Sequence, residues 1–412
     1  MELREGYKQT EIGVIPVDWD IRALIELGEF KNGINKGKED FGFGYPFVNL
    51  MDVFGIPKIS SNENLGLINS THIDRGIYDL KKGDVIFVRS SVKPEGVGLT
   101  TLVSKSLPDT VYSGFLIRFR DNGEIADEFK EFCFHDFGFR NRLIANSTVS
   151  ANTNINQDSL KALLLVLPKS KDEQQAIAAA LSDVDALLTS LDALIAKKRL
   201  IKQGAMQELL TGKRRLKGFS GEWEVKKMSD IAVYYSGGTP STEIADYYNG
   251  EIPWITSSDL NKTFIDDVEG RITRLGLENS SAKMVTQNTL LIALYGATAG
   301  VTALTRIRAA INQAVLAVIP YSDSFLFLFY KLSYLKDWII KTYTQGGQPN
   351  LSGEIVKSIE ISVPEKTEQI AIAEILSDMD AEIAAIESRR EKTRLLKQGM
   401  MQELLTGRIR LL

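Results

Sequence analysis

A chain of 412 residues exceeds one ordinary core, so about two to four domains are expected. Its globular composition, 44% hydrophobic and 25% charged, contains no run near the ~18 apolar residues of a membrane span. One cysteine and two histidines exclude a disulfide framework and supply a metal site poorly, and a net charge of −4 with a pI near 5.6 is unlike a free-standing nucleic-acid binder, whose domain pI usually exceeds about 9.

Residues 1–11 mix charges of both signs without an apolar stretch, so no secretory signal is read there, and the cysteine usage suits a reducing cytoplasm. Trp19 sits in an alternating apolar strand and is expected in the core. Gly33-Ile-Asn-Lys-Gly37-Lys38 is one spacing short of a phosphate-binding P-loop and lacks its Ser or Thr. Lys36 and Lys38 instead form a mobile basic loop suited to phosphates. Asp84 to Arg89 and Tyr112 to Phe119 read as strands. After the first, Arg89, Ser90, Ser91 and Lys93 are placed to reach base edges or backbone. Asp109, Glu128 and Lys130 formally resemble a metal-dependent nuclease trio. Glu128 and Lys130 fall in the amphipathic helix predicted over Ala126 to Phe134, which is unlike carboxylates converging on Mg²⁺. Cys133, among Phe132, Phe134 and Phe137, reads as a buried inert thiol. Asn152, Asn154, Asn156 and Gln157 make an amide-rich loop, and amides are good adenine readers.

From Ser170 the pattern changes. Ser170 with Glu173 is a capping-box signature, and Pro168 closes the strand before it. Ile177, Leu181, Val184, Leu188, Leu191 and Ile195 then recur at the 3.5-residue period of a coiled-coil seam. About 40 residues of helix, roughly 60 Å, run to a Thr-Gly cap at Gly212. The basic end Lys213-Arg214-Arg215-Leu216-Lys217 reads equally as a phosphate contact or a solvated helix end.

The second half repeats the first. Glu173 to Leu216 matches Glu368 to Leu411 at a fixed offset of 195 residues, with roughly 25 of 44 positions identical. Ile372, Leu376, Met379, Ile383 and Ile386 recreate the seam, and two matching 60 Å helices are most economically paired with each other. The preceding segments correspond more weakly: Trp223 answers Trp19, Asp259 answers Asp52, and Pro364 answers Pro168. Leu290 to Leu294 and Ala314 to Ile319 read as strands, and Ser324 to Lys341 as a helix. Regions matching the DNA-contact candidates offer Thr239, Ser257, Ser258, Lys262, Tyr295, Gln345, Gln348 and Asn350. For any one of these residues, a solvated loop side chain is an equal reading. No G-x-G-x-x-G, G-x-S-x-G or H-E-x-x-H motif occurs. The expected fold is α+β: two mostly antiparallel globules (1–167 and 214–363), and long antiparallel coiled-coil helices (168–213 and 364–412) that pair as a pseudo-twofold spacer.

The doubled helix, with E-Q-x-A-I-A and K-Q-G-x-M-Q-E-L-L-T-G in each copy, resembles the specificity (S) subunit of type I restriction-modification enzymes. So do the Trp-bearing opening of each globule and the apolar strand ending in Pro before each helix. The resemblance covers essentially the whole chain. It implies that each globule reads one half of a bipartite duplex-DNA site and that the helix pair sets the gap. It further implies two methyltransferase subunits bringing S-adenosylmethionine chemistry, and restriction-translocase subunits using ATP and Mg²⁺, with no catalytic centre or cofactor in this chain. A rigid spacer suits two probes about 34 Å apart along B-DNA. Two other readings stay open: a subunit of a related two-subunit or fused restriction enzyme, and a scaffold that binds only proteins.

Overall fold

The computed structural model describes residues 5–149, 152–344 and 350–411. It contains two compact units, one of Met1–Asp192 with Ser388–Leu412 and one of Ala193–Glu387. In the first, a five-stranded sheet runs in the order Gly28–Asn32, Leu116–Asp121, Val85–Val88, Thr100–Val103, Lys58–Ile59, antiparallel except for the last pair. The second unit repeats this order with Ala232–Ser236, Val315–Pro320, Leu290–Ala293, Thr302–Thr305 and Phe264–Ile265. The middle strand of each sheet, Val85–Val88 or Leu290–Ala293, is apolar at every position because both faces are covered. Val85 and Phe87 join a core with Phe119, Phe129 and Phe134, while Ile86 and Val88 pack with Val48 and Tyr112. Leu290 and Ile292 likewise face one cluster and Leu291 and Ala293 another.

Cys133 is buried in the first core, and burial pushes its thiol above the ordinary range. The nuclease-like trio does not converge. Asp109 pairs with Arg75 at 3.1 Å, and Lys130 is tied to Asp121 and Asp127. Among the described residues no cluster of three metal-ligating side chains forms, and no helix is long and apolar enough to cross a membrane.

Two 39-residue helices, Lys171–Leu209 and Lys366–Leu404, each begin in one unit and end in the other. Within the first unit Glu173 meets Arg410 at 2.5 Å, Asp185 meets Lys397 at 2.6 Å, and Asp192 meets Arg390. Within the second, Arg215 meets Glu368 at 2.7 Å, and Lys202 meets Asp380 at 2.5 Å. Partner numbers fall as residue numbers rise, so the helices pack antiparallel. Both end three residues before the expected glycine. Gly212 and Gly407 close the turn beyond, each at φ +72°.

The expected seam divides by depth. Leu191, Ile195 and Ile383 are buried, and Val184, Leu188, Met379 and Ile386 are half-buried. Ile177 and Leu181, with Ile372 and Leu376, belong instead to globule cores, beside Trp19 and Phe129 in one unit and Met228 and Phe327 in the other. The helix starts are therefore core elements of their own units as well as partners of the opposite helix.

The Glu-Gln pair opening each helix explains this anchoring. Gln174 accepts a bond from Ala126 N at 2.7 Å, at the start of helix Asp127–Cys133, and donates to Pro168 O at 2.9 Å. Gln369 does the same with Ser324 N at 2.9 Å and Pro364 O at 2.9 Å. Glu173 accepts from Trp19 Nε1 at 3.1 Å and from Arg410, and Glu368 accepts two bonds of 2.7 Å from Arg215. Arg215 is thus committed to a carboxylate, which removes it from the basic helix end considered for phosphate contact. Trp223 packs against the second core beside Phe327, but it precedes strand Glu224–Lys227, is only half-buried, and its Nε1 has no hydrogen-bond partner among the described residues.

Arg410→Ala would leave Glu173 buried with one remaining side-chain donor. We expect it to cost about 2–3 kcal/mol in urea unfolding of the first unit, below the fully buried limit because Arg410 is partly exposed. His135 supplies a second prediction. Burial, reinforced by Arg140 and Lys397, lowers its pKa to about 4, and its Nε2 lies 3.1 Å from Thr100 Oγ1. The folded form keeps this ring neutral, so its contribution is complete above about pH 6.5 and is lost as pH falls toward 4. Wild type should lose roughly 3 kcal/mol more than His135→Gln across that window, read by denaturant melts at stepped pH.

Candidate nucleic-acid interface

Four segments converge beside the central sheet of the first unit: 33–38, 89–93, 113–115, and 148–149 with 152–156. Ile34 bridges Ser113, and Gly114 N donates to Ile34 O at 2.9 Å. Arg89 N donates to Phe115 O at 2.9 Å, and Ile155 N donates to Arg89 O at 2.9 Å. Strand Ser90–Ser91 then pairs with Thr153–Asn154, which pairs with Thr148–Val149. The basic loop, the Arg-Ser-Ser segment and the amide loop are therefore neighbours, although far apart in sequence.

The second unit builds the same junction. Gly238 N donates to Ile311 O at 3.1 Å, Leu294 N to Ala314 O at 2.8 Å, and Leu351 N to Leu294 O at 2.7 Å. Tyr295 bridges Asn350, in the register that pairs Ser90 with Asn154. Thr239 donates to Gln313 Oε1 at 2.5 Å. The turn 257–261 packs against Gly296–Thr298, which brings Ser257 and Ser258 to the same place.

The side chains divide by what already holds them. Lys38, Lys93 and Asn152 are exposed, and Arg89 and Ser90 are half-exposed. Arg89 also donates to Gly114 O at 3.3 Å, and Asn154 to Asn152 O at 2.9 Å. Lys36 is less mobile than the sequence suggested, since it is ion-paired with Asp74 at 3.1 Å. Ser91 is buried and accepts from Lys93 N. Asn156 caps helix Gln157–Lys161 by accepting from Ser159 N at 2.8 Å, and the Gln157 amide bonds Phe30 O and Asn32 N. These two amides are occupied in architecture. In the second unit Thr239, Ser258, Lys262, Tyr295 and Asn350 are exposed, Ser257 is half-exposed, and Lys262 donates to Asp267 O at 3.4 Å. Gln345 and Gln348 lie outside the described residues.

The sequence reading missed an apolar component. Val92, Phe115 and Val149 are 82%, 59% and 76% exposed around the Ser90–Asn154 pairing. Gln313, exposed beside Thr239, was missed as well. Amides, hydroxyls, guanidinium and exposed apolar groups are together the inventory that reads base edges.

A family model described as the type I restriction modification DNA specificity domain matches residues 16–199 and again 220–396. The chain belongs to this family. The MjaX specificity subunit of Methanocaldococcus jannaschii is 26% identical over 98% of this chain and 97% of its own. The EcoR124I/EcoR124II specificity subunit of Escherichia coli is 30% identical over 39% of this chain and 41% of its own. The solved S subunit from M. genitalium has the same fold, with a TM-score of 0.57 at 17% identity over 98% of both chains. So does a chain solved in work on complex assembly and conformational transition of the type I R-M system. It has a TM-score of 0.65 at 17% identity over 96% of this chain and 99% of its own. The two family matches fall on the two halves of the internal repeat, so the specificity domain is present twice.

The difference between an exposed lysine and a committed amide is testable. Lys93→Ala should weaken DNA binding uniformly across sequences and reduce the salt slope by about 1, measured by fluorescence anisotropy at stepped salt. Asn156→Ala should cost about 1 kcal/mol in unfolding through the lost cap and leave sequence preference unchanged.

Proposed function

We propose that this specificity subunit reads an interrupted duplex-DNA target, one half with each unit, and that the paired helices set the gap. The observation that carries the reading is duplication with divergence. One backbone junction occurs in both units, bearing Arg89, Ser90 and Asn154 in the first and Tyr295, Thr239 and Gln313 in the second. Two readers on one framework with different side chains suit two different half-sites. The chain supplies the address and no catalysis. S-adenosylmethionine chemistry belongs to methyltransferase subunits, and ATP- and Mg²⁺-dependent cleavage to restriction subunits.

Two methyltransferase copies are favoured by the repeat. Leu200 and Ile201 are 68% and 47% exposed, and their counterparts Leu395 and Leu396 are 52% and 59% exposed. Paired apolar side chains left in water at equivalent helix positions suit two identical partners. The acidic pI is tolerable if those partners carry much of the phosphate contact.

Co-expression with a cognate methyltransferase subunit, followed by genome-wide mapping of methylated adenines, tests the reading. The expected result is one interrupted motif with a fixed gap. A well-formed complex that modifies no such motif would favour the protein-only scaffold. Inserting four residues between Ile177 and Ile195, about 6 Å of helix, should change the gap or abolish modification. An unchanged gap would remove the helices' role as a ruler.

A further inference from the structure

The run Phe41-Gly-Phe-Gly-Tyr45 belongs neither to the core of the first unit nor to the four segments of its interface. Phe41 and Tyr45 both stand opposite Ile68 across an antiparallel pair, so Gly42-Phe43-Gly44 is looped out as a bulge. Gly42 and Gly44 take φ of +98° and +97°, backbone that glycine adopts freely, and Phe43 at the tip is 52% exposed. The flanks are braced. Phe41 meets buried Phe47 edge-on with ring centroids 5.5 Å apart, and the Arg75 guanidinium lies 3.5 Å from the Tyr45 ring centroid. Arg75 is itself held by Ser70 O at 2.7 Å and Asp109 at 3.1 Å.

The second unit shows that the fold does not need the phenyl ring. Tyr248 and Ile252 both stand opposite Ile272, and Asn249 takes φ +59°, so a bulge of the same length forms there by a different course, with Gly250 close against Ile272 and Thr273 as Gly44 is against Ile68 and Asn69. Its tip carries Gly250 and Glu251. Phe43 therefore stands half-exposed at a place where the second unit forms its bulge without a ring. The bulge also adjoins the interface. Gly44 packs against Ile68 and Asn69, and the basic loop reaches the same stretch through Lys36 on Asp74 at 3.1 Å and Asn69 N on Asp40 O at 2.8 Å.

We propose that Phe43 is an apolar probe that packs against bases of the duplex in the half-site read by the first unit. It is then a specificity-determining residue with no equivalent in the second unit. The proposal rests on the DNA-reading function above, and its physical basis is the contact that exposed phenyl rings make with thymine methyls or unstacked base steps.

The test is the methylation map of the full complex with wild type, Phe43→Ala and Phe43→Leu. Phe43→Ala should relax one or two adjacent positions in one half of the motif and slow modification about tenfold, leaving the other half intact. Phe43→Leu, which keeps an apolar tip, should retain the wild-type motif. An unchanged motif and rate in Phe43→Ala would overturn the proposal while leaving the DNA-reading function standing. Loss of folded structure in Phe43→Ala, read by thermal melting, would make the ring a packing group and overturn it equally. A wild-type complex that modifies no interrupted motif would overturn the DNA-reading function and this proposal with it.

Discussion

A buried carboxylate at the first turn of each long helix is the constraint on which the rest depends. Glu173 and Glu368 are 4% and 0% exposed, and an unpaired charge at that depth would cost several kcal/mol. Each is stabilised by its helix N-terminus and by an arginine beyond the end of the other helix, Arg410 or Arg215. Neither join can form from one helix alone. The first unit therefore needs residues from both copies of the repeat, since Glu173 and Arg410 lie 237 positions apart. The adjacent Gln174 and Gln369 transmit the same constraint to the globules, because each fixes the backbone that starts a core helix.

How much of this was legible in the sequence follows from range and length. The long helices were readable because a 3.5-residue period over many turns, copied 195 residues later, has one simple physical explanation. Their division of labour was not. Ile177 and Leu181 carry the same signature as Leu191, yet they face a globule core, and only the tertiary fold distinguishes the two settings. For the candidate interface, the sequence showed the residue types but not that the segments bearing them come together. Ser90–Ser91 and Thr153–Asn154 are two-residue strands about sixty positions apart, too short to show a period and paired only because the central sheet presents them to each other. Asn156 looked like a reader for the reason that makes it a good cap: a short amide competes for nearby backbone groups.

Charge distinguishes the two candidate interfaces. The first offers Lys38, Arg89 and Lys93, whereas the second relies on hydroxyls, amides and Tyr295, with Lys262 at its margin. Hydrogen-bonding side chains discriminate bases but contribute little long-range attraction, and the net charge of −4 adds none. A chain of this composition is better suited to discriminating a duplex that partners hold than to capturing one alone. The exposed leucines and isoleucine on the helices, apolar side chains left in water, suit that division.

The geometry also explains how the address can vary while the fold persists. The central strands are buried on both faces, so substitutions there disturb a packed core. The four interface segments hold one another mainly through backbone bonds, Arg89 N on Phe115 O in one unit and Leu294 N on Ala314 O in the other. Bonds of that kind survive changes of side chain. The bulge shows both sides of the principle: a residue of positive φ, Gly42 or Asn249, opens it in each unit, but Phe43 stands 52% exposed whereas a Cβ at Gly250 would meet Thr273 Cα at 2.5 Å. Backbone fixes where a probe stands, and the side chain is left free to decide what it meets.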